Sequence, residues 1–125
     1  MRNKTSRAGL LRAGFLALIA VLCGAACKTS VAMSTPYQAI LLSNGSAYFG
    51  QLTGLGSDYP VLTDVYYVKS VQDPNTKAVS NTLVKRGKEW HGPDRMILNA
   101  NMIVLVEPVN PSSRVAQLIA QAKNQ

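Results

Sequence analysis

The chain has 125 residues, which sets one domain as the limit. Hydrophobic residues make up 47% and charged residues 15%, which excludes a disordered acidic or basic tail, and two cysteines exclude a disulfide scaffold. The formal charge of +7 is uneven: Arg2, Lys4, Arg7 and Arg12 precede any acid, so the thirteen basic residues less these four leave nine against six acids, a net of only +3 over the rest.

The first element is an N-terminal signal helix over residues 1–27. A basic stretch to Arg12 is followed by the apolar run Phe15 to Leu22 and then by the small residues Cys23-Gly24-Ala25-Ala26-Cys27. This is the layout of a secretory signal. The apolar stretch Ala13–Cys27 has 15 residues; as a helix it is about 22 Å long, short of a ~30 Å hydrocarbon core. Cleavage before Cys27 is the expected outcome, and a retained anchor is the alternative. Ala25-Ala26-Cys27 resembles the lipobox of bacterial lipoproteins, although Gly24 stands where that motif has a large aliphatic residue. The resemblance implies lipidation at Cys27, with ordinary signal cleavage as the other reading. Either way the folded part is expected outside the cytoplasm, in the cell envelope: membrane-anchored, periplasmic or secreted. Cleavage at that point removes Cys23 and leaves no intramolecular disulfide, so an apolar core alone must hold the fold.

Residues 28–36 are small, polar and end in proline, the composition of a linker. From 37 to 109 the signals are almost all β. Tyr37–Leu42 is a predicted strand, Asn44-Gly45 predicts a hairpin with a type I′ turn, and Ala47–Leu52 is the returning strand. Gly50, Gly54 and Gly56 mark bends or close backbone approach. Val61–Val71 is the longest β-rich run, Asp73-Pro74-Asn75-Thr76 a turn, and Val79–Arg86 the next strand. Arg95–Leu98 and Met102–Glu107 are two short strands, with Pro108 and Pro111 ending the sheet. In 110–125, Ser112 or Ser113 can cap a short helix whose Val115, Leu118, Ile119 and Ala122 share one face. Five to six short strands in so few residues predict a mainly β fold, a small SH3/Sm-like β-barrel with a short C-terminal helix. Homo-oligomerisation would relieve its exposed edges.

The densest polar stretch is the loop carrying Lys85, Arg86, Lys88, Glu89, Trp90, His91, Asp94 and Arg95. Glu89, His91 and Asp94 are the only close set of metal-ligand types, and a cation held there would open metal-assisted hydrolysis. The alternative is an ordered surface loop in which Asp94 pairs with Arg95. The basic residues with Trp90 suit phosphate, a stacked base or anionic headgroups. Tyr48, Tyr66 and Tyr67 form a candidate partner surface, with Tyr66 and Tyr67 on opposite faces. No nucleophile motif is present: Gly-x-Ser-x-Gly is absent, and His91 is the sole histidine.

Leu42-Ser43-Asn44-Gly45-Ser46-Ala47-Tyr48-Phe49-Gly50-Gln51-Leu52 resembles the first half of an Sm-like domain, and Lys85-Arg86-Gly87 its second motif. The resemblance implies a bent barrel. It does not imply RNA binding, because Gly56 and Pro60 stand where RNA-binding members carry an Asp and an Asn. The pattern Tyr37, Asn44-Gly45, Tyr48-Phe49-Gly50, Val65-Tyr66-Tyr67-Val68, Lys85 to Asp94 and Met96-Ile97-Leu98-Asn99 is similar to a family of uncharacterised bacterial envelope proteins, each a signal or anchor followed by one such module. That similarity implies location, not activity. Together these readings lead us to expect a non-catalytic binding or scaffolding module without a cofactor, meeting the membrane through its N-terminus and an envelope protein through its body, and not a nucleic-acid reader. A metal-binding protein or hydrolase at Glu89/His91/Asp94 is the alternative, with an Sm-like nucleic-acid binder as the second.

Overall fold

The computed structural model describes residues 31–125, so the signal segment and Cys27 lie outside the described residues. The fold is mainly β: a six-stranded antiparallel sheet and one short C-terminal helix. The elements are β1 (Gln38–Leu42), β2 (Ala47–Thr53), β3 (Val61–Gln72), β4 (Val79–Lys85), β5 (Arg95–Ile97), β6 (Ile103–Pro108) and α1 (Arg114–Lys123). Strand order is β4-β3-β2-β1-β6, with β5 added to β3. No helix among the described residues is long and apolar enough to cross a membrane.

The sheet is not closed into a barrel, which corrects the expectation of a closed one. Its outermost strands, β4 and β6, do not pair with each other. The cause lies in β3, whose one edge serves two partners in succession: β5 along Val61–Thr63 and β4 along Tyr66–Gln72. β4 therefore follows the second half of β3 away from the core, and among the described residues no strand bridges to β6.

The turn chemistry differs from expectation in one detail. The Ser43–Gly45 connection is a three-residue loop, with the Gly45 N–H donating to Leu42 O and the Leu42 N–H to Ser46 O. Gly45 alone lies at positive φ (+83°), whereas a type I′ turn requires it of Asn44 as well. The Asn44 side chain instead accepts from the Ser46 N–H, which settles the loop without left-handed backbone at that residue. At the other hairpin, the Asp73 carboxylate accepts from the N–H groups of Asn75 and Thr76, as its place in the turn predicts.

The main core lies on the concave face. Ile40, Leu62, Val65 and Leu98 are buried together, flanked by Leu42, Tyr48, Leu52, Met96, Ile103 and Val106. Residues from five strands thus meet in one cluster, as a curled sheet requires. Gly50 permits the closest approach: a Cβ there would stand 2.8 Å from both Leu62 Cγ and Thr63 O. Among the described residues Gln38 is the one buried polar side chain, and its amide oxygen accepts from the Leu52 N–H while its nitrogen donates to Thr35 O. α1 begins at Ser113, whose hydroxyl caps the Ala116 N–H, and buries Ile119. Val115 and Leu118 on the same face are half-buried, so the helix lies on the sheet.

Candidate functional site

The candidate site grows from an irregularity in β3. Gln51 opposes Thr63, but Phe49 opposes Tyr66, so β3 carries one extra residue between them. Asp64 sits in this bulge at φ +48°, a left-handed conformation that a short polar residue tolerates better than most. The bulge also marks the place where β3 exchanges β5 for β4 on its other edge. A strand bulge re-aims a side chain, and here it brings the carboxylate of Asp64 to groups from three other segments. The Tyr37 hydroxyl donates to it, Lys85 Nζ lies 3.1 Å away from one oxygen, and Lys123 Nζ 3.1 Å from the other.

The electrostatics follow from that convergence. Burial opposes ionisation of Asp64, but the donors from Tyr37, Lys85 and Lys123 outweigh it and hold the carboxyl at about 2. Its partners move the other way. Burial and then Asp64 push Tyr37 up; Asp64 raises Lys85; Tyr37 and Asp64 raise Lys123. Two tyrosine rings support the ammonium groups, with Lys85 Nζ 5.7 Å from the Tyr66 centroid and Lys123 Nζ 5.1 Å from that of Tyr37. The rings themselves meet edge to face at 6.5 Å. The Tyr66 hydroxyl is buried and without a hydrogen-bond partner among the described residues, and burial, with the Asp64 charge second, raises its pKa. Chemically, the cluster fixes charge states: Asp64 is held ionised and both lysines protonated around neutrality. It ties the last turn of α1, where a cation also complements the helix dipole, to the sheet.

Beside the bulge runs the loop Arg86–Asp94. Arg86 is anchored at its start by its N–H to Val65 O at 2.8 Å. The Glu89 carboxylate accepts from Arg86 Nε at 2.8 Å and from the Gly87 N–H at 2.7 Å, and the Glu89 carbonyl accepts from the Gly92 N–H. Gly87 and Gly92 both take positive φ (+119° and +53°), so the loop reverses direction at glycines. These bonds hold the carboxyl of Glu89 below the usual range, with the Gly87 N–H as the largest cause. Arg95 does the same for Asp94, pairing with it at 2.6 Å. Bulge and loop share a cleft of about 250 Å³ lined by Asp64, Lys85, Arg86, Asp94, Arg95 and Met96.

The expected loop residues are therefore neighbours, but Glu89, His91 and Asp94 are not brought together as a ligand set. Glu89 is engaged by Arg86 and Asp94 by Arg95, while His91 is exposed. Among the described residues no three His, Cys, Asp or Glu side chains stand together as ligands. The tyrosine surface needs a correction of its own: Tyr66 is 0% exposed and cannot meet a partner. Tyr48 and Tyr67 are half-buried against each other at 6.5 Å, with the Arg86 guanidinium over Tyr48. Sequence reasoning missed the roles of Tyr37, Asp64 and Lys123. One signal was present: an acid in the middle of Val61-Leu62-Thr63-Asp64-Val65-Tyr66-Tyr67-Val68 is out of place in a strand. No family model matches this chain, and no curated protein does.

Proposed function

We propose that the protein is a non-catalytic binding or scaffolding module of the cell envelope, exported and tethered by its N-terminal segment and meeting a protein partner with its body. The observation that carries this reading is the β3–β4 ribbon: every residue from Lys69 to Thr82 is exposed, including Val71 and Val79, although seven residue pairs hold the two strands in register. A two-stranded ribbon without a buried face gains little from packing, and binding gives its apolar side chains a place to be covered. The geometry around Asp64, whose carboxylate is held by Tyr37, Lys85 and Lys123 across β3, β4 and α1, agrees with a structural use of that cluster.

The SH3/Sm-like reading draws support from the strand order β4-β3-β2-β1-β6 and the single concave core, as an open version of such a barrel. A second copy of the chain is a further partner reading, favoured by the open edge of β6 with Val104 and Leu105 exposed. The test is photocrosslinking in the native envelope from position 79, with a probe at the exposed Gln117 of α1 as the control. One recurrent envelope protein captured from position 79, and lost when Val71 is changed to Lys, supports the proposal. Recovery of the full-length chain unprocessed and freely soluble inside the cell overturns it.

A further inference from the structure

Trp90 is the only tryptophan in the chain and its side chain is fully exposed, at 108% of the reference value. Large aromatic surface left wholly in water is a site in want of an environment. The tip that carries it is built, not loose: Glu89 gathers the Arg86 side chain and the Gly87 N–H, and its carbonyl closes the turn onto Gly92. Trp90 is thus presented in a defined place, with Lys88 and His91 exposed on either side of Glu89 and Trp90.

The charges choose the occupant. The segment from Lys85 to Arg95 holds four basic and two acidic side chains. Both acids are occupied within the loop, Glu89 by Arg86 and Asp94 by Arg95, whereas Lys88 has no ion-pair partner among the described residues. A projecting indole flanked by an unpaired cation matches the boundary layer of an anionic bilayer, where tryptophan sits at headgroup depth and lysine meets lipid phosphate. A deformable surface accepts a single protruding ring without a preformed pocket, which a protein partner would have to supply. The length of the linker agrees: residues 28–36 reach at most about 32 Å, so a body tethered at Cys27 stays within that distance of the bilayer.

We infer that the Arg86–Asp94 loop docks the tethered body onto an anionic membrane surface, Trp90 entering the headgroup region and Lys88 contacting phosphate. This rests on the envelope reading above, and it adds a second, peripheral membrane contact to the N-terminal one.

Because Trp90 is the sole tryptophan, its emission reports the loop even in the full-length chain, whatever the N-terminal segment does. The full-length protein is mixed with phosphatidylcholine vesicles with and without phosphatidylglycerol, and both sedimentation and Trp90 emission are followed. The expected result is a blue shift, loss of acrylamide quenching and gain of quenching by brominated acyl chains, all dependent on phosphatidylglycerol. Lys88→Glu, at an exposed position, should raise the lipid concentration for half-maximal shift at least about tenfold. Sedimentation with anionic vesicles while Trp90 keeps its aqueous emission overturns the loop proposal and leaves the tether standing. Absence of both sedimentation and shift overturns the loop proposal. An equal shift on neutral vesicles that Lys88→Glu does not change overturns the anionic surface. A shift seen only on adding the partner captured by crosslinking assigns the loop to that protein and overturns docking on the bilayer.

Discussion

β3 passes through two environments in twelve residues. Its first half, Val61 to Tyr66, lies between β2 and either β5 or β4 and contributes Leu62, Val65 and Tyr66 to buried positions. Its second half, from Val68 to Gln72, is exposed on both faces and pairs only with β4. The amino-acid types barely differ: valine and alternating polar residues run through both. What differs is whether another layer covers the strand. Residue type therefore specifies that β3 forms, while stability is confined to the half that is covered, and the uncovered half is available for contact with another molecule.

Substitutions can test that division, and the largest effect belongs to the covered half. Leu62 is 0% exposed and touches the core from the centre of the sheet. Leu62→Ala should lower unfolding free energy by about 2–5 kcal/mol, read from the midpoint of urea denaturation. A core this small has few residues to share the loss, so the variant should approach the unfolded state at physiological temperature. Next is Gly50→Ala, which drives a Cβ to 2.8 Å from Leu62 Cγ and from a backbone oxygen. The side chain of Leu62 can shift but Thr63 O moves only with β3, so about 1–3 kcal/mol is expected, with m unchanged if the fold is kept. Gln38→Leu follows. It removes the acceptor for the Leu52 N–H in a part-buried setting, at a cost of about 1–3 kcal/mol, and the Leu52 amide should become the fastest-exchanging N–H of β2.

These three positions also show how far the sequence can be read. Alternation placed every strand within a residue or two, because the concave face must be apolar and the turns carry Asn-Gly and Asp-Pro. Ser112-Ser113 announced the helix start for the same local reason, and Ser113 is the residue that caps it. Closure was not legible, since it depends on where β4 travels after the bulge at Asp64, and a bulge is a matter of register between strands. The site was half legible. Contiguous residues of the Lys85–Arg95 loop are visible as a cluster in one dimension, whereas Tyr37, Asp64 and Lys123 become neighbours only when β1, β3 and α1 pack. Tyr66 was ambiguous because the extra residue in β3 reverses which face each later side chain takes, and α1 covers the face that alternation alone leaves open.

A smaller effect is expected from Asp64→Asn, which keeps a residue tolerant of left-handed backbone and an acceptor for Tyr37 but removes the charge. Lys85 and Lys123 are about half exposed and screened by solvent, so the loss at neutral pH should be about 1 kcal/mol. The pH profile is the sharper readout. The folded-state pKa of Asp64 is depressed to about 2, so its contribution is complete above the ordinary carboxylate value and disappears as pH falls through about 2. Lys85, Lys123 and Tyr37 are raised, so theirs is complete below their ordinary values and disappears as pH rises through the raised ones. Asp64→Asn should flatten stability between about pH 4 and pH 2 and shrink its alkaline loss, because Lys85, Lys123 and Tyr37 lose the charge that raises them; an unchanged acid limb would separate Asp64 from the docking of α1.

The smallest effect belongs to the ribbon. Val79 is 62% exposed and opposes Gln72 at the far end of β4. Val79→Ser removes β-branching and apolar surface where nothing is packed on either, so global stability should change by less than about 0.5 kcal/mol. The amides of Ser70 to Ser80 should exchange faster, as the hairpin loses some of its own local order, while those of β1 and β2 stay protected. If instead Val79→Ser lowers the urea midpoint as much as Gly50→Ala does, the ribbon is part of the cooperative core, and the partner surface must be sought on the edge of β6. If stability holds but crosslinking from a probe at the exposed position 71 of the ribbon is lost in Val79→Ser, folding and contact reside in different halves of one strand.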